Sequence, residues 1–370
     1  MPSHVLILGG RGRIGTQVAR DVLENLAAKV TVTGHQKTPN SNLQESLTAH
    51  GATFLQLDLA DTQALETAIA QADLVIHCAG PFLYRDGRVL QQCIAQRVPY
   101  LDVSDSVEFT RKALSYHEAA QRAGVTAIVN SGVFPGISNS MVRQCVEQFD
   151  QPEEIFLGYV VGGSGGAGVT VMRTTFLGLQ HPFKAWIDGQ WQEKRPYSDR
   201  QPVQFPSPFG KVGVYWYEVP ETYTLVQSFP VKTVTTKFGS VPDFYNYLTW
   251  IVARWFPKSW LHRPQNIEFL AHVSHRMTRV SDRFSGIGIS IEVSVKGYQN
   301  GQLRHYGASM LHEDTAIAAG AGTGSLAQMI LDGKVRQPGV HPVEQALSTP
   351  LFEQAMASRH LQIQHGWRSP

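Results

Sequence analysis

The sequence predicts an α/β protein in which a doubly wound parallel sheet is followed by an inserted α+β domain with a mixed or antiparallel sheet. An apolar strand leads directly into a glycine-rich turn and an amphipathic helix near residue 10. Strand and helix patterns then alternate to about residue 130, which is typical of a parallel sheet. Residues 231–238 and 286–296 alternate instead as strands with one polar face. We therefore expect a Rossmann domain over 1–130, completed by about 315–370, and a substrate or dimerisation domain over 131–314.

The glycine-rich turn has the spacing of a dinucleotide-binding motif. We expect Gly10 to make the tight turn, Gly12 to let the backbone approach a pyrophosphate, and Gly15 to let the helix pack on the strand. The phosphates then lie at the positive end of the helix, next to Arg13 and Ile14. The turn therefore predicts a nucleotide cofactor.

The end of the second strand, near residue 35, indicates which nucleotide. Sites that prefer NAD place an acidic residue there, and this strand has none. Arg11 and Arg13 lie in the turn, and His35 and Lys37 follow the strand. Cationic side chains suit a ribose 2′-phosphate, so we expect NADP rather than NAD.

Further cofactor contacts are expected where the next strands end. Asp58 follows the third strand and could accept from the adenine amino group, or it could cap the next helix, for which Asp61 is the better placed. The fourth strand ends in a turn that exposes backbone at the carboxyl edge of the sheet, where doubly wound folds bind ligands. The residues expected to contact the cofactor from this edge are Ala79, Gly80, Pro81, Phe82, Ser131 and Gly132.

Several motifs in this order resemble the saccharopine dehydrogenase-like oxidoreductases. They are the glycine turn, Asp58, and the segments 78–82, 100–104, 131–139, 238–242 and 333–344. The resemblance implies a nucleotide domain, a middle α+β domain that shapes the substrate pocket, and pyridine-nucleotide redox chemistry. The chain has Phe134 before its Pro-Gly turn and Ser138-Asn139 after it, where saccharopine reductases carry an acidic residue and a histidine. Saccharopine reduction itself is therefore not expected.

Three side chains are candidates for catalysis. Asp102 ends a strand at the carboxyl edge of the sheet, with Tyr100 beside it; the alternative role for Asp102 is to hold a loop through backbone N–H groups. Arg173, in the middle domain, would suit a substrate carboxylate. The resemblance implies redox chemistry at a carbon bonded to nitrogen or oxygen. Together with these candidates, it leads us to expect NADP-dependent hydride transfer to or from a C=N or C=O carbon of a small, hydrophobic substrate.

Two other functions are compatible with the same residues. One is a non-catalytic NADP-binding sensor or scaffold, since no catalytic acid stands out. The other is a reductive step in polyamine or amino acid metabolism, which needs carboxylate-binding arginines around the pocket; apart from Arg173 the sequence supplies few.

Composition narrows the class of protein. The chain has 370 residues and a net charge of +2 without a basic cluster, which argues against a nucleic-acid partner. Its three cysteines have neither disulfide nor metal-site spacing, so we expect no metal. With a strand pattern from residue 4 onward, we expect no signal peptide and a cytoplasmic protein.

The segment 244–261 is aromatic on almost every side, with tryptophans at positions 250, 255 and 260. Three interpretations remain open: a helix between subunits, a lid over an apolar substrate, or a peripheral contact with lipid. We expect a homodimer formed through this segment, with membrane contact as the main alternative.

Overall fold

The computed structural model of the chain describes residues 2–35, 47–166, 168–261, 263–282 and 287–368. The backbone divides into a first unit of residues 1–140 and 316–360 and a second unit of residues 141–315 and 361–370. The first boundary thus falls ten residues beyond the one expected at 130. The C-terminal residues correct the expected division, because residues 361–370 belong to the second unit rather than to the nucleotide domain.

The first unit is built on a parallel sheet of seven strands. Numbered in chain order, the strands lie side by side as β15-β6-β5-β4-β1-β2-β3. The order reverses next to β1, which is the switch point where doubly wound folds bind nucleotides. The strands are β1 (Ser3–Leu8), β2 (Ala28–Gly34), β3 (Thr53–Gln56), β4 (Leu74–His77), β5 (Tyr100–Asp102), β6 (Thr126–Val129) and β15 (Gly339–Pro342).

Helices connect these strands, and their apolar sides pack against a sheet whose central strands are almost fully buried. Asp61 begins the second helix by accepting a hydrogen bond from the Ala64 N–H at 3.0 Å. The helices of this part are α1 (Arg13–Asn25), α2 (Thr62–Ile69), α3 (Arg88–Gln96), α4 (Val107–Leu114), α5 (His117–Ala123), α6 (Ile137–Val146), α13 (Thr315–Leu331), α14 (Val343–Ala346) and α15 (Thr349–Ser358).

The second unit contains a sheet in which only β7 and β12 run parallel among the described pairs, so the expected mixed sheet is confirmed. The main path runs β10-β11-β12-β7-β13-β14-β16, with β8 and β9 to one side. The strands are β7 (Gln151–Gly162), β8 (Phe183–Ile187), β9 (Gln190–Lys194), β10 (Gln201–Gln204), β11 (Lys211–Trp216), β12 (Thr233–Val241), β13 (Gly288–Gln299), β14 (Gln302–His312) and β16 (Ile363–Arg368).

The last strand explains why the C-terminal residues leave the nucleotide unit. β16 pairs antiparallel with β14, from Ile363 opposite Met310 to Arg368 opposite His305. The pairing extends along six residue positions and satisfies the backbone groups by which the two strands face each other. The short hydrophobic pattern of β16 gave no signal for this long-range pairing.

The aromatic segment folds as two helices followed by a third. They are α10 (Phe244–Trp255), α11 (Lys258–Leu261) and α12 (Pro264–Ser281); the remaining helices of this unit are α7 (Gly163–Gly166), α8 (Val169–Leu177) and α9 (Pro220–Ser228). In the described part of the chain, none of the helices has both the length and the apolar content needed to span a bilayer.

Candidate cofactor site

The glycine turn follows β1 and begins one residue earlier than the sequence indicates. Gly9, not Gly10, has the left-handed backbone, with φ +73°, so Gly9 makes the tight turn. Gly10 is needed because a Cβ there would lie 2.6 Å from the Val32 side chain on β2. Gly15 lies against the Gly9 carbonyl, as its expected packing role requires. The glycine at 10 therefore serves packing rather than turning.

Gly12 caps the first turn of α1 and is exposed. A Cβ at Gly12 would meet one neighbouring atom, the Gly9 carbonyl oxygen at 3.2 Å. Since glycine has no side chain to cap the helix, the first N–H groups of α1, from Arg13 and Ile14 onward, point out of the turn toward a ligand. This geometry fits a pyrophosphate.

Arg11 forms a basic corner with the ends of β2 and β3. Its guanidinium carbon lies 4.9 Å from the centre of the Phe54 ring, and its methylene chain passes over Gly34, where a Cβ would come within 2.6 Å. Arg11 can therefore take this position because residue 34 has no side chain. An acidic side chain at 34 would both displace the guanidinium and repel a phosphate, so this corner fits a ribose 2′-phosphate.

His35 and Asp58 lie at the same corner, with His35 Nδ1 3.7 Å from Asp58 Oδ2. Asp58 also accepts the Ala60 N–H at 2.9 Å, which closes its own turn. Asp61 caps the helix, so the alternative cap role of Asp58 is excluded; contact between Asp58 and adenine stays a prediction. Lys37, the other expected cation, lies outside the described residues.

The turn after β4 is held by Arg85. Its Nε and Nη2 donate to the carbonyls of Ala79 and Gly80, at 2.7 and 3.2 Å. These two carbonyls therefore face the protein, and Gly80 precedes a cis Pro81. The sequence gave no signal for Arg85, because its spacing from this turn has no periodic pattern.

Phe82 anchors the turn after β4. Its side chain is buried in the core of the first unit, where its ring packs edge-on against His77 at 4.9 Å and Phe109 at 5.0 Å between centroids. Contact between this residue and the nicotinamide stays a prediction.

Asp102 and Tyr100, two of the candidates for catalysis, lie in a buried network. Both are fully buried, and Asp102 Oδ1 accepts the N–H groups of Ser104 and Asn130, each at 3.0 Å. Its Oδ2 accepts the Tyr100 hydroxyl at 3.0 Å. Asp102 thus joins the carboxyl ends of β5 and β6, as the loop-holding alternative requires, and its catalytic role stays a prediction.

Burial sets the protonation of this network. Desolvation raises the pKa of Asp102 to about 6 and lowers the pKa of His77 to about 3. Because the Tyr100 hydroxyl donates to Asp102, it accepts from His77 Nδ1, 3.2 Å away, and the neutral imidazole carries its proton there. His77 Nε2 is then a buried acceptor without a partner among the described residues.

Ser131 and Gly132, the other expected contacts at this edge, pack against the small-residue helix α13. The Ser131 hydroxyl donates to the Asp102 carbonyl at 2.8 Å, and Thr323 on α13 donates to the Ser131 carbonyl at 3.0 Å. A Cβ at Gly322 would lie 3.0 Å from the Gly132 carbonyl. The Ser131 side chain is therefore engaged within the protein, and its contact with the cofactor stays a prediction.

One buried polar pair in this unit was not predicted as a pair. Asn139 donates through Nδ2 to Glu344 Oε2 at 2.9 Å and accepts the Gly136 N–H at 3.0 Å. The partners are 205 residues apart, so the fold brings them together. They fix the backbone after the Ser131 turn.

Arg173, the third candidate for catalysis, belongs to the second unit. Its guanidinium makes a two-point ion pair with Glu268 on α12, through Nε to Oε1 and through Nη2 to Oε2 at 2.9 Å. The fork that would bind a substrate carboxylate is thus used to join α8 to α12. A search of the described residues finds no group of three or more His, Cys, Asp or Glu side chains arranged to hold a metal ion.

The parallel sheet, its switch point beside β1 and the glycine turn with its basic corner define a dinucleotide-binding protein. Residues 5–128 match the family model described as the saccharopine dehydrogenase NADP binding domain. Over this segment the chain is therefore similar to saccharopine dehydrogenases, and the segment is an NADP-binding domain.

Solved structures share the fold over nearly the whole chain. Saccharopine dehydrogenase (L-Glu forming) from Saccharomyces cerevisiae matches with a TM-score of 0.71 and 13% identity, covering 99% of this chain and 100% of that one. Homospermidine synthase from Legionella pneumophila, solved in complex with NAD, matches with a TM-score of 0.68 and 11% identity, covering 100% and 92%. At these identities the likeness shows the fold alone.

Among curated proteins, the chain is similar to carboxynorspermidine synthases. The Vibrio alginolyticus protein is 23% identical over 64% of this chain and 63% of its own length. The Vibrio cholerae protein is 25% identical over 52% and 50%. The chain thus spans between half and two thirds of the length of these relatives.

Proposed function

We propose that the protein is an NADP-dependent oxidoreductase that transfers hydride to or from a C=N or C=O carbon of a small molecule. The observation that carries this proposal is the basic corner, where Arg11 crosses Gly34 at the end of β2. Bound NADPH supplies the hydride when the substrate is reduced, and NADP+ accepts it when the substrate is oxidised. The chain's own contribution is the glycine turn and α1 for the pyrophosphate, and Arg11 for the 2′-phosphate.

The cofactor part is tested by calorimetric titration of Arg11→Gln with NADPH and NADH. Removal of one charge-assisted contact to a phosphate is expected to weaken NADPH binding by about tenfold or more and to leave NADH binding unchanged. Arg20→Gln, an arginine of α1 outside the basic corner, is the matched control. Equal losses for both nucleotides would assign Arg11 to the fold and remove the argument for NADP.

For the substrate, we favour an imine formed from an amine and a carbonyl compound over a free ketone or aldehyde. The support is the similarity to carboxynorspermidine synthases. Because Arg173 is paired with Glu268, the geometry gives no support to a carboxylate subsite at that position. NADPH oxidation with mixtures of a primary amine and an aldehyde, compared with each component alone, tests this preference.

The non-catalytic alternative has one supporting observation: the acids expected to donate a proton, Asp102 and Tyr100, are buried and engaged within the first unit. A sensor binds NADPH tightly and oxidises it with no carbonyl or imine mixture. Binding with turnover on any member of the panel would exclude it.

For the assembly, we propose a homodimer formed through the outer side of α10. Phe244, Tyr247, Ile251 and Trp255 follow one another along that side, and each is exposed. A row of this kind marks a contact surface. Light scattering is expected to give twice the 40.9 kDa chain mass, reduced to the monomer in Phe244→Ser with Trp255→Ser. A monomeric wild type that floats with anionic vesicles would favour the membrane contact instead.

A further inference from the structure

The second unit contains a cavity that the proposed redox chemistry does not use. Helices α8, α10 and α12 close over one end of the mixed sheet and leave a cavity of about 170 Å³ that is partly open to solvent. An apolar cavity of about this size binds a small uncharged molecule. The sheet side is formed by residues such as Val161 and Phe238, and the helix side by residues such as Leu248 and Leu270.

The lining is apolar and without charge. Among the described residues that line the cavity there is no aspartate, glutamate, lysine, arginine or histidine. The nearest charged pair described above, Arg173 with Glu268, is satisfied within itself. A charged ligand would lose its hydration here without compensation, so the cavity selects against ions.

The hydroxyl groups of the lining are directed into the protein. Thr175, Tyr245, Thr249 and Thr278 donate to the carbonyls of Val171, Met277, Tyr245 and His275, at 2.8 to 2.9 Å. Ser240 and Ser274 supply the other two hydroxyl groups of the lining, and Ser274, on α12, is half-buried. The cavity therefore offers an apolar surface with few polar groups, among them the Ser274 hydroxyl.

The helix α10 explains how such a cavity is built. Its residues 245, 248, 249 and 252 recur at helical spacing and line the cavity. The exposed row at 244, 247, 251 and 255 lies on another side of the same helix. The aromatic segment thus has two apolar sides. A subunit contact would cover the outer side, but it would not explain why the inner side, which lines the cavity, is apolar.

We propose that this cavity is a binding site for an uncharged hydrophobic molecule, such as a medium-chain alcohol or ketone, with its oxygen at Ser274. Val273 lines the cavity and is 38% exposed, so it lies at the opening. The apolar body of the ligand displaces water from the lining, which is the driving force for binding. The site does not depend on NADP chemistry, and its ligand is recognised by the second unit alone.

The test uses N-phenyl-1-naphthylamine, an uncharged probe whose fluorescence rises in apolar surroundings, on the full-length chain. We expect binding of one probe per chain, displacement by decan-1-ol, and no displacement by decanoate below its micellar concentration. Ser274→Phe and Leu248→Trp fill the cavity and are expected to weaken probe binding by tenfold or more. Tyr247→Ser, next to Leu248 but on the outer side, is the matched control and should bind as the wild type does.

The outcomes separate the possibilities. Any of three results would overturn the proposal. They are the absence of probe binding, displacement by decanoate that is as effective as displacement by decan-1-ol, and loss of binding in Tyr247→Ser with retention in both filled variants. The last result would assign the probe to the outer surface. Two filled variants protect against misfolding of one, and the melting temperature of each is measured first. NADPH titration of the same proteins reports the first unit separately, so failure of the redox proposal and failure of this one are distinguishable.

Discussion

At the scale of single residues, each glycine of the nucleotide turn has a different physical reason. Gly9 supplies the left-handed backbone, Gly10 and Gly15 allow close packing, and Gly12 is open on its ligand side. The four positions therefore respond differently to the same substitution. Substitution of Gly9, Gly10 or Gly15 affects folding, whereas substitution of Gly12 affects nucleotide binding.

Gly12→Ala is expected to fold normally and to bind NADPH about tenfold or more weakly. The Gly12 backbone, with φ −72° and ψ 163°, is open to any L residue, and the added methyl group occupies the space through which the pyrophosphate approaches. Calorimetric titration and the melting temperature check both parts. Gly15→Ala is the contrasting variant, whose methyl group meets the Gly9 carbonyl and lowers the melting temperature. Unaltered NADPH affinity in Gly12→Ala would remove the pyrophosphate from this turn.

Asp102 makes the free energy of unfolding depend on pH, and its pKa shift predicts the direction of this dependence. Burial raises the pKa of Asp102 in the folded chain to about 6 from an ordinary 3.8. A group of this kind stabilises the fold fully below the ordinary value, and the stabilisation is lost as the pH rises through 6. Relative to the wild type, Asp102→Asn should therefore gain free energy of unfolding between pH 4 and 7, by at most about 3 kcal/mol.

Urea unfolding of both proteins at intervals across this pH range measures the difference. Asp332→Asn, at a half-exposed carboxylate near Lys334, controls for the loss of one negative charge. A difference in free energy of unfolding between Asp102→Asn and the wild type that stays constant across the pH range would contradict a raised pKa of the buried Asp102. Steady-state kinetics on Asp102→Asn distinguishes a positioning role from a catalytic one. A positioning residue acts through the loops after β5 and β6, so turnover changes only in proportion to the change in stability.

At the scale of elements, helix α13 shows why a sequence would place glycines inside a helix. Each glycine costs about 1 kcal/mol relative to alanine. A Cβ at Gly320 would lie 2.7 Å from the Gln17 carbonyl on α1, and one at Gly324 would meet the Asp21 side chain. The small residues thus allow a close approach, and its partners are α1 and the Ser131–Gly132 turn. Gly333 ends this region with a left-handed backbone, φ +71°.

Gly320→Ala is expected to destabilise the first unit, although alanine favours a helix. The clash with backbone on α1 costs about 1–3 kcal/mol, which exceeds the gain in helix propensity. Ile317→Ala, at an exposed position of the same helix, is the control and should change stability little. Thermal unfolding measures both variants. An increase in the melting temperature of Gly320→Ala would mean that α13 and α1 are not held in close contact.

At the scale of the whole molecule, the chain offers an internal probe for each unit. All seven tryptophans lie within residues 141–315 and 361–370, which form the second unit. The NADP-binding domain, over residues 5–128, has none. Tryptophan fluorescence therefore reports unfolding of the second unit, while nucleotide binding acts on the first.

NADPH at about 100 times its dissociation constant should stabilise the first unit by about 2.7 kcal/mol. We expect the circular dichroism transition that contains the first unit to move to higher temperature, and the tryptophan transition to move less. The comparison uses wild type with NADPH, with NADH, and without nucleotide. Equal shifts by both signals would mean that the two units unfold as one cooperative structure.

Much of the nucleotide unit was predictable from local patterns. The apolar strand before the glycine turn and the missing acid after β2 could be recognised in short stretches of sequence, because strand burial and close backbone packing leave local patterns. The mixed sheet of the second unit followed from residues 231–238 and 286–296 in the same way.

The sequence by itself determined the class of the first unit and its nucleotide, since both depend on residues within one βαβ segment. The tertiary structure decided the roles of Asp102, Arg173 and Phe82, whose partners are separated along the chain or buried in its core. It also decided that β16 joins the second sheet and that α10 lines a cavity. Residues that are far apart in the sequence leave no periodic pattern when they pair. Burial and pairing at those positions are therefore visible only in the folded chain.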